Sequence, residues 1–471
     1  MAYANHRENI SRDVGGLNNI PYRSEFWGGN LYYSYKDRYI ASATLCYSGT
    51  GDFPTDHRFS FTPGFGLGWI VSNEGFLKDN KVVSFLKFRG NAGRTAREDF
   101  GQDRFSYKAD ITVGTWDSGY MGNPTLRPEF VDAVDFGVDL TLFNRLSITA
   151  SRFKERVQNA YMVSTTYIPE FQGVALSNYR ARNSGKFVNE GYELGIDYIQ
   201  PIGRNVTLTL GASTSHNENE IQYIGETEKS EDYYERYATQ GHPWGSIRGY
   251  RIDYEGGDAH NGFFNSQEEI ESCGIDYSYL GNIRPGEFRY KDLNGDGAID
   301  AKDIETFKYS ILPQQYFSFN FGFRYKRFEI SALLHGASKG YRDIGDQYSF
   351  GYGWDGIYSD LHANAWTAEK FAAGEKIDAP ALSLRSASSY KTNDYYVNDG
   401  SYLKLKNVAA TYVLPDNVAK RIAAQEIKVT LTGQNLVTWD RMRSDYIDPE
   451  TGTLSVFQPM RVVSAGVGIT F

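Results

Sequence analysis

The segment DLNGDGAIDAKD, residues 292 to 303, places oxygen-bearing residues at the spacing of a calcium-binding loop. Loop positions 1, 3, 5, 7, 9 and 12 are occupied by Asp292, Asn294, Asp296, the carbonyl of Ala298, Asp300 and Asp303. Gly297 stands at position 6, where such a loop turns sharply. Because Ca²⁺ takes about six to eight oxygen ligands, and Mg²⁺ also prefers oxygen, the segment predicts a site for one divalent cation.

The same segment can also form turns without a metal. Asp303 replaces the glutamate that usually closes a calcium loop, and its shorter side chain reduces the reach for a two-oxygen contact. Flanking helices are not evident, so a complete helix–loop–helix unit is not expected. Because Asp and Asn side chains also bind nearby backbone amides, an Asx-rich turn is the alternative. In both interpretations the loop is structural and not catalytic.

The other reactive residues do not form a catalytic set. Residues 336 to 340, GASKG, match the nucleophile-elbow pattern, but that elbow needs a strand followed by a helix, and Ser338 ends a predicted hairpin strand. The seven His are scattered, without the pairs that bind zinc. Cys46 and Cys273 could form one disulfide at most. We therefore predict no catalytic residues and no enzymatic activity.

Four tryptophans lie in or beside predicted loops. They are Trp244, Trp354, Trp366 and Trp439. Aromatic rings in loops can stack on sugar rings, and packing inside folded loops explains them equally well. The sequence therefore does not predict which residues bind a substrate.

The elements that would position these residues are strands. In YFSFNFGFRY, residues 316 to 325, every second residue is aromatic: Phe317, Phe319, Phe321, Phe323 and Tyr325. This alternation predicts a strand with one apolar and one polar face. It recurs in hairpins at 135–151, 192–213 and 316–338, and in candidates near 30–47, 59–71, 83–92, 402–413, 426–437 and 461–471. We predict about a dozen to fourteen strands.

The connections between these strands alternate between tight turns and long loops. The long polar segments are 93–130, 158–186, 216–314 and 341–400. Such long loops are uncommon in compact soluble domains and typical of outer-membrane β-barrels. A soluble β-sandwich is the alternative, but its strands are usually about five or six residues long, whereas this alternation suits the roughly 9–11 residues that cross a bilayer. We therefore predict an all-β, antiparallel transmembrane barrel.

Composition argues against several other classes. The net charge of −9 argues against a nucleic-acid-binding protein, because affinity for phosphates is built from clustered Lys and Arg. No apolar run approaches the roughly 18 residues of a membrane-spanning helix. The opening MAYANHRENISRD does not predict a secretory signal. The remaining functional alternative is a soluble or surface-attached, calcium-stabilised β-protein that binds glycans.

Several segments, in chain order, carry a family pattern. They are NPTLRPEFVDAVDFGVDL (123–140), GHPWGSIRGYRID (241–253), GFFNSQEEIES (262–272), RPGEFRYKDLNGDGAID (284–300), NDGSYLKLKNVAATYVLP (398–415), LTGQNLVTWDR (431–441) and the terminal RVVSAGVGITF. Together they resemble the SusC/RagA-type TonB-dependent outer-membrane transporters of Bacteroidota. The resemblance covers nearly the whole chain.

The resemblance implies a barrel in the outer membrane of a Gram-negative bacterium, surrounded by outer-membrane lipid. It also implies import of oligosaccharides or peptides with energy from the TonB complex, under a SusD-like surface lipoprotein. The signal peptide, plug domain and first strands of complete members are not recognisable here. We expect residues 1–471 to be the C-terminal portion of the barrel, with a long extracellular loop region at 216–314 that contains the calcium-type loop at 292–303.

Overall fold

The computed structural model describes residues 2–9, 22–99, 105–109, 121–162, 178–179, 181–226, 236, 238–345, 359–383 and 387–471. Within these ranges the chain forms eighteen strands and three short α-helices. The strands are β1 (Ala2–Asn9), β2 (Tyr22–Tyr35), β3 (Tyr39–Thr50), β4 (Phe59–Ile70), β5 (Val83–Arg97), β6 (Glu129–Leu142), β7 (Leu146–Met162), β8 (Arg182–Ile202), β9 (Val206–Tyr223), β10 (Ser246–Gly249), β11 (Glu305–Ser310), β12 (Gln315–Tyr325), β13 (Phe328–Ser338), β14 (Tyr341–Asp343), β15 (Val397–Asp399), β16 (Tyr402–Val413), β17 (Glu426–Asp440) and β18 (Val462–Thr470). The helices are α1 (Gln267–Ser272), α2 (Ala368–Ala372) and α3 (Asp416–Ala419). None of these helices is long and apolar enough to cross a membrane.

Fourteen of the described strands belong to one antiparallel sheet. Its order is β1-β2-β3-β4-β5-β6-β7-β8-β9-β12-β13-β16-β17-β18. The other four strands form two small sheets, β10 with β11 and β14 with β15, inside the long connections after β9 and β13. The prediction of an all-β, antiparallel fold with about a dozen to fourteen main strands is confirmed.

Tight turns join alternate pairs of strands. Between β6 and β7, Phe143 and Asn144 both have a φ of 54°, and between β2 and β3, Lys36 and Asp37 both have a φ of 51°. Two successive residues with positive φ are the signature of the hairpin turns that match the twist of paired strands. Because neighbouring strands are antiparallel, the tight turns and the long connections lie at opposite ends of the strands they join.

The chain divides into two compact units. The first comprises Met1–Gln200 and Gly211–Thr227, and it contains β1 to β8 with most of β9. In this unit the predicted alternation is seen directly: Phe136 is 69% exposed, and Phe65 and Leu67 on β4 are also exposed. Large apolar side chains that stand free on a strand face are typical of the lipid-facing side of a membrane sheet.

The second unit comprises Pro201–Leu210 and Glu228–Phe471. Its β12 and β13 form the predicted hairpin, in which Phe319 pairs with Leu334 and Phe323 pairs with Ile330. Its long connections are folded around a separate hydrophobic core, described below. The second unit therefore combines strands of the fourteen-stranded sheet, which we call the strand wall, with packed loops.

Several strands are longer than the alternation predicts. β7, β8 and β9 contain 17, 21 and 18 residues, so they continue into segments 158–186 and 216–314, which we expected to be loops. Outside an apolar band both faces of a strand are polar, so the hydropathy pattern ends although backbone pairing continues. β1 was not predicted, because AYANHREN has no apolar alternation.

Candidate functional site

The long connections of the second unit pack around an aromatic core. Its most deeply buried large members are Phe264, Phe288, Tyr290, Ile299, Ile344 and Tyr396, each at most 1% exposed. The ring of Phe288 lies 5.1 Å from that of Phe263 and 4.9 Å from that of Tyr395, measured between centroids. The hydroxyl of Tyr290 donates to the carbonyl of Ser388 at 2.9 Å, so its buried polar atom is satisfied. This core therefore holds the loops, and the side chains at their surface, in fixed positions.

The calcium-type segment is attached to this core through Ile299, which is fully buried. The amide of Ile299 donates to the carbonyl of Asp276 at 2.8 Å. The amide of Asp276 in turn donates to the carbonyl of Gly297, also at 2.8 Å. This short bridge fixes the second half of the segment against the packed loops.

The first half of the segment is a series of Asx turns. Asp292 Oδ1 accepts a hydrogen bond from the amide of Gly295 at 2.7 Å, and its Oδ2 accepts one from the amide of Gly297 at 2.8 Å. Asn294 and Asp296 each accept, through Oδ1, from the amide two residues further on, at 3.1 and 3.0 Å. These contacts hold the side-chain oxygens on the inner side of the turn.

Asp303 closes the segment from inside the fold. Its Oδ1 accepts from the amide of Leu293 and its Oδ2 from the amide of Asp300, both at 2.8 Å. Burial raises the pKa of Asp303. Asp300 caps the amide of Lys302 at 2.7 Å, and the Lys302 ammonium lies 3.3 Å from Asp296 Oδ2.

The six predicted ligand residues thus lie in a loop from Asp292 to Asp303 whose turns are held by hydrogen bonds from the side chains to its own backbone amides. The Asx-turn alternative accounts for the hydrogen bonds that Asp292, Asn294 and Asp296 accept from the amides that follow them. Within the described ranges, no group of three or more His, Cys, Asp or Glu side chains is arranged to hold a metal ion. Binding of Ca²⁺ or Mg²⁺ at this loop therefore stays a prediction.

A pocket of about 440 Å³ opens beside the same core. Phe263 and Phe288 of the core form part of its wall, and its polar lining consists of Tyr254, Asn261, Asp360, Asn364, Asp378, Tyr395 and Arg443. The lining residues come from the connections that follow β9, β13 and β17. A volume of this order suits a small ligand or one or two units of a longer one.

Contacts between the lining residues fix their orientation. The Arg443 guanidinium lies 4.0 Å from the centroid of the Tyr395 ring, a cation–π distance. Asp378 accepts from the amide nitrogen of Asn364 at 2.9 Å and pairs with Lys376 at 2.8 Å. The hydrogen bond from Lys376 lowers the pKa of Asp378 below its usual value, so this carboxylate is ionised at neutral pH.

The pocket offers hydrogen-bond donors and acceptors beside an aromatic surface. Tyr254 is 46% exposed and lines the pocket. Asn261 and Asn364 each provide both a donor and an acceptor, and Asp360 provides acceptors. The arrangement is therefore suited to recognising a polar ligand.

The connection that carries Arg443 is tied to the strand wall by a buried ion cluster. Lys404 on β16 is completely buried, and its ammonium lies 2.6 Å from Asp448 Oδ1 and 2.6 Å from Glu450 Oε2. Lys406 reaches the same Glu450 at 2.9 Å. Burial alone would raise the pKa of Glu450, but hydrogen bonds from the two lysines lower it to about 2. The cluster holds the loop in one place.

The remaining predicted candidates fall in different settings. Trp366 is buried, and its indole N–H donates to Asn265 at 3.2 Å, so it packs within the loops. Trp244 and Trp439 are about half exposed and outside the pocket lining, while Trp354 lies outside the described residues. Ser338 is the last residue of β13, and a strand, β14, follows it, so the hydrolase elbow is absent there as expected.

The residues of the pocket were not singled out from the sequence. Tyr254 lies more than a hundred residues before Asp378, and Arg443 lies further along the chain. The three residues meet only because the loops pack together. The sequence signal available was the Tyr- and Asp-rich composition of the long segments, which does not identify individual contacts.

Comparison with known proteins places the chain among the TonB-dependent receptors. Residues 8–436 match the family described as "TonB dependent receptor-like, beta-barrel". TonB-dependent receptor P26 of Formosa agariphila is 26% identical over 467 residues, which span 94% of this chain and 45% of that protein. TonB-dependent receptor SusC of Bacteroides thetaiotaomicron is 24% identical over 407 residues, which span 82% of this chain and 37% of that protein. The chain spans less than half the length of these curated relatives.

Solved structures show the same fold. The RagAB peptide importer in its "open-open" state matches with a TM-score of 0.73 and 18% identity, covering 98% of this chain and 48% of that one. The RagAB peptide transporter matches with a TM-score of 0.71 and 17% identity, covering 98% and 49%. The family match, the match to SusC and the shared fold confirm the resemblance that the sequence motifs indicated. This chain belongs to the TonB-dependent receptor β-barrel family and is of the SusC/RagA type.

Proposed function

We propose that this chain is the barrel portion of an outer-membrane importer that takes up oligosaccharides or peptides with energy from TonB. The observation that carries the proposal is the row of large apolar side chains exposed along the strands of a chain in this family. Members of the family are outer-membrane proteins, and so is this chain. The soluble glycan-binding alternative is not favoured, because it gives these exposed side chains no apolar medium.

The partners follow from the relatives. SusC-type transporters work beneath a SusD-like surface lipoprotein, and we propose such a lid over the long connections of this chain. We also propose that the long connections, including residues 216–314, lie outside the cell. Energy would come from the TonB complex, which acts through a plug region in complete members of the family.

The proposed mechanism is capture and release without catalysis. A nutrient is held by the lid and the loops, and rearrangement of the plug then lets it pass through the barrel. The pocket around Tyr254, Asp378 and Arg443 supports this mechanism, because it can bind the hydroxyl groups of a sugar or the amide groups of a peptide. Its aromatic, amide and charged groups fit both oligosaccharides and peptides, so an experiment must decide which of the two classes is the substrate.

Growth and binding measurements test the proposal together. A strain that lacks the gene is supplied with one oligosaccharide mixture or one peptide mixture as its sole carbon source, and growth should fail on one of them and recover with the gene. Labelled ligand of that class should bind the purified protein about tenfold more weakly after Tyr254→Ala or Arg443→Ala. Tyr279→Ala is the matched control, since Tyr279 is 64% exposed outside the pocket. Normal growth of the deletion strain on every mixture would contradict the proposal.

A further inference from the structure

The apolar face of β7 becomes cationic partway along the strand. From 146 to 156, every second residue is, in order, Leu146, Ile148, Ala150, Arg152, Lys154 and Arg156. The register with β6 is uninterrupted over this stretch, so all six side chains leave the same side of the sheet. The same side of β6 carries Val134 and Phe136, both exposed. A membrane-facing row thus ends in three successive cations.

The change occurs at the height where lipid headgroups begin. Lys154 lies eight residues beyond Leu146, which directly follows the tight turn. At about 3.4 Å per residue and a tilt of about 40°, eight residues rise roughly 20 Å. The apolar band of such barrels is about 25 Å tall, so the cations stand near its upper edge, at the end that carries the long connections.

Two of these cations have spare binding capacity. Arg94 on β5 is already bound by Asp132, at 2.6 and 2.8 Å, and Lys154 by Glu190 at 2.8 Å. Arg152 and Arg156 are exposed, and neither forms an ion pair or a hydrogen bond with any residue in the described part of the chain. Four cations therefore face two carboxylates in a chain whose net charge is −9. The excess of positive charge is therefore confined to this part of the sheet.

A groove joins the cations to the apolar side chains below them. Its volume is about 520 Å³. Phe61, Phe65 and Val134 line the apolar part. Arg94, Lys154, Arg156 and the Arg94-bound carboxylate of Asp132 line the charged part. The apolar part can cover an acyl chain, and the guanidinium groups can bind phosphate oxygens in a paired geometry. One lipid molecule satisfies both requirements.

We propose that this groove binds a phosphate-bearing lipid of the outer leaflet. The acyl chain lies against Phe65 and Val134, and the phosphate lies on Lys154 and Arg156 in the groove. Arg152, the neighbouring cation of the same row on β7, adds its charge beside the groove. The choice of the outer leaflet rests on the proposed function, which places the long connections outside the cell. Binding of the lipid itself does not depend on uptake, so the two ideas can fail separately.

The test uses purified protein in detergent and two lipid probes, diphosphoryl lipid A and the same lipid without its phosphates. Bound lipid is counted by native mass spectrometry. The unchanged protein should prefer the phosphorylated probe, and the double variant Arg152→Gln, Arg156→Gln should bind it about thirtyfold more weakly. Millimolar inorganic phosphate should not displace the lipid, because it lacks the acyl contacts.

Two controls accompany the charge variant. Lys36→Gln with Lys78→Gln removes two exposed cations near the tight turns and should leave binding unchanged. Val134→Trp fills the groove without changing the charge and should weaken binding of both probes. Equal binding of the two probes, or unchanged binding in the arginine variant, would overturn the proposal. If the arginine variant changes its oligomeric state while its lipid binding is unchanged, this face is a contact between copies of the chain, and the lipid proposal is overturned.

Discussion

Phe136 on β6 and Phe288 in the packed loops are the same residue type in opposite settings. Phe136 is 69% exposed and shares its face with exposed Val134, whereas Phe288 is 1% exposed and contacts Phe263 and Tyr395. The loops exclude water by packing, as any globular core does. The strands leave their apolar side chains free, which is stable only when the surrounding medium is itself apolar. This chain therefore uses aromatic residues in two environments: packed against other side chains in the loops, and exposed to lipid on the strands.

The largest expected effect is in the packed loops. Phe288→Ala should cost about 3–5 kcal/mol in the free energy of unfolding, because it opens a cavity among rings that cannot close over it. Phe136→Ala should cost clearly less, since lipid refills the space. Unfolding in detergent, followed by tryptophan fluorescence, measures both variants. Equal losses would break the distinction between the two settings.

A similar loss is expected from the ion cluster that fixes the last long connection. Lys404→Ala leaves Asp448 and Glu450 facing each other without their buried cation, which should cost about 3–5 kcal/mol. Lys406→Ala is the matched control, because Lys406 is partly exposed and should cost less than about 1 kcal/mol. The free energy of unfolding again provides the measurement. A mild Lys404 variant would mean that water reaches this cluster.

The next effect sharpens the contrast between the two faces of one strand. Phe319→Arg places a cation on the apolar face of β12 and should cost about 2–4 kcal/mol in lipid. Asn320→Arg adds the same side chain on the polar face and should be nearly neutral. Folding into vesicles, followed by the heat-dependent shift on gels, compares the two variants. A similar tolerance of both would show that the faces do not differ in medium.

Acid should weaken the loop contacts before it affects the strand faces. The folded pKa of Glu450 is about 2, below its ordinary value of 4.5, because the two lysines favour its charged form. A lowered folded pKa means that the stabilisation is complete above about pH 4.5 and is lost as the pH falls towards 2. Unfolding measured between pH 6 and pH 2.5 should show this slope, and Glu450→Gln should reduce it. A flat profile would contradict the assignment.

The smallest effect concerns the calcium-type loop. If Ca²⁺ binds with the submillimolar to millimolar affinity of extracellular sites, millimolar Ca²⁺ should stabilise the loops by about 1 kcal/mol. Asp292→Asn with Asp296→Asn should remove this increment, whereas Asp258→Asn, outside the loop, should not. Thermal unfolding with Ca²⁺ and with a chelator measures the difference. No increment in the unchanged protein would leave the Asx turns as the whole role of the segment.

The strand wall could be predicted because alternation records contact with lipid on every second residue. The segment 316–325 shows this most clearly, since its apolar face is entirely aromatic. The turn at Phe143 and Asn144 was also predictable from the spacing of the hairpin. The extension of β7 beyond residue 151 was not, because Arg152, Lys154 and Arg156 remove the hydropathy contrast while the backbone pairing with β8 continues.

The pocket could not be predicted for a different reason. Tyr254 and Arg443 are brought together by a core whose residues are spread over about two hundred positions, and no local pattern records such contacts. The loop from Asp292 to Asp303 was predictable in position, because Asx turns depend on neighbours in sequence. Local signals thus identified the wall and the acidic loop, and long-range packing determined the pocket.

Site-directed spin labels at residues 319, 320 and 288 test the central claim most directly. In the protein reconstituted into bilayers, a label at Phe319 should be relaxed by oxygen, which concentrates in lipid, and not by a water-soluble nickel complex. A label at Asn320 should show the opposite preference, and one at Phe288 should be shielded from both reagents. If the label at Phe319 is reached by the nickel complex, or is shielded like the one at Phe288, the strand face does not meet lipid.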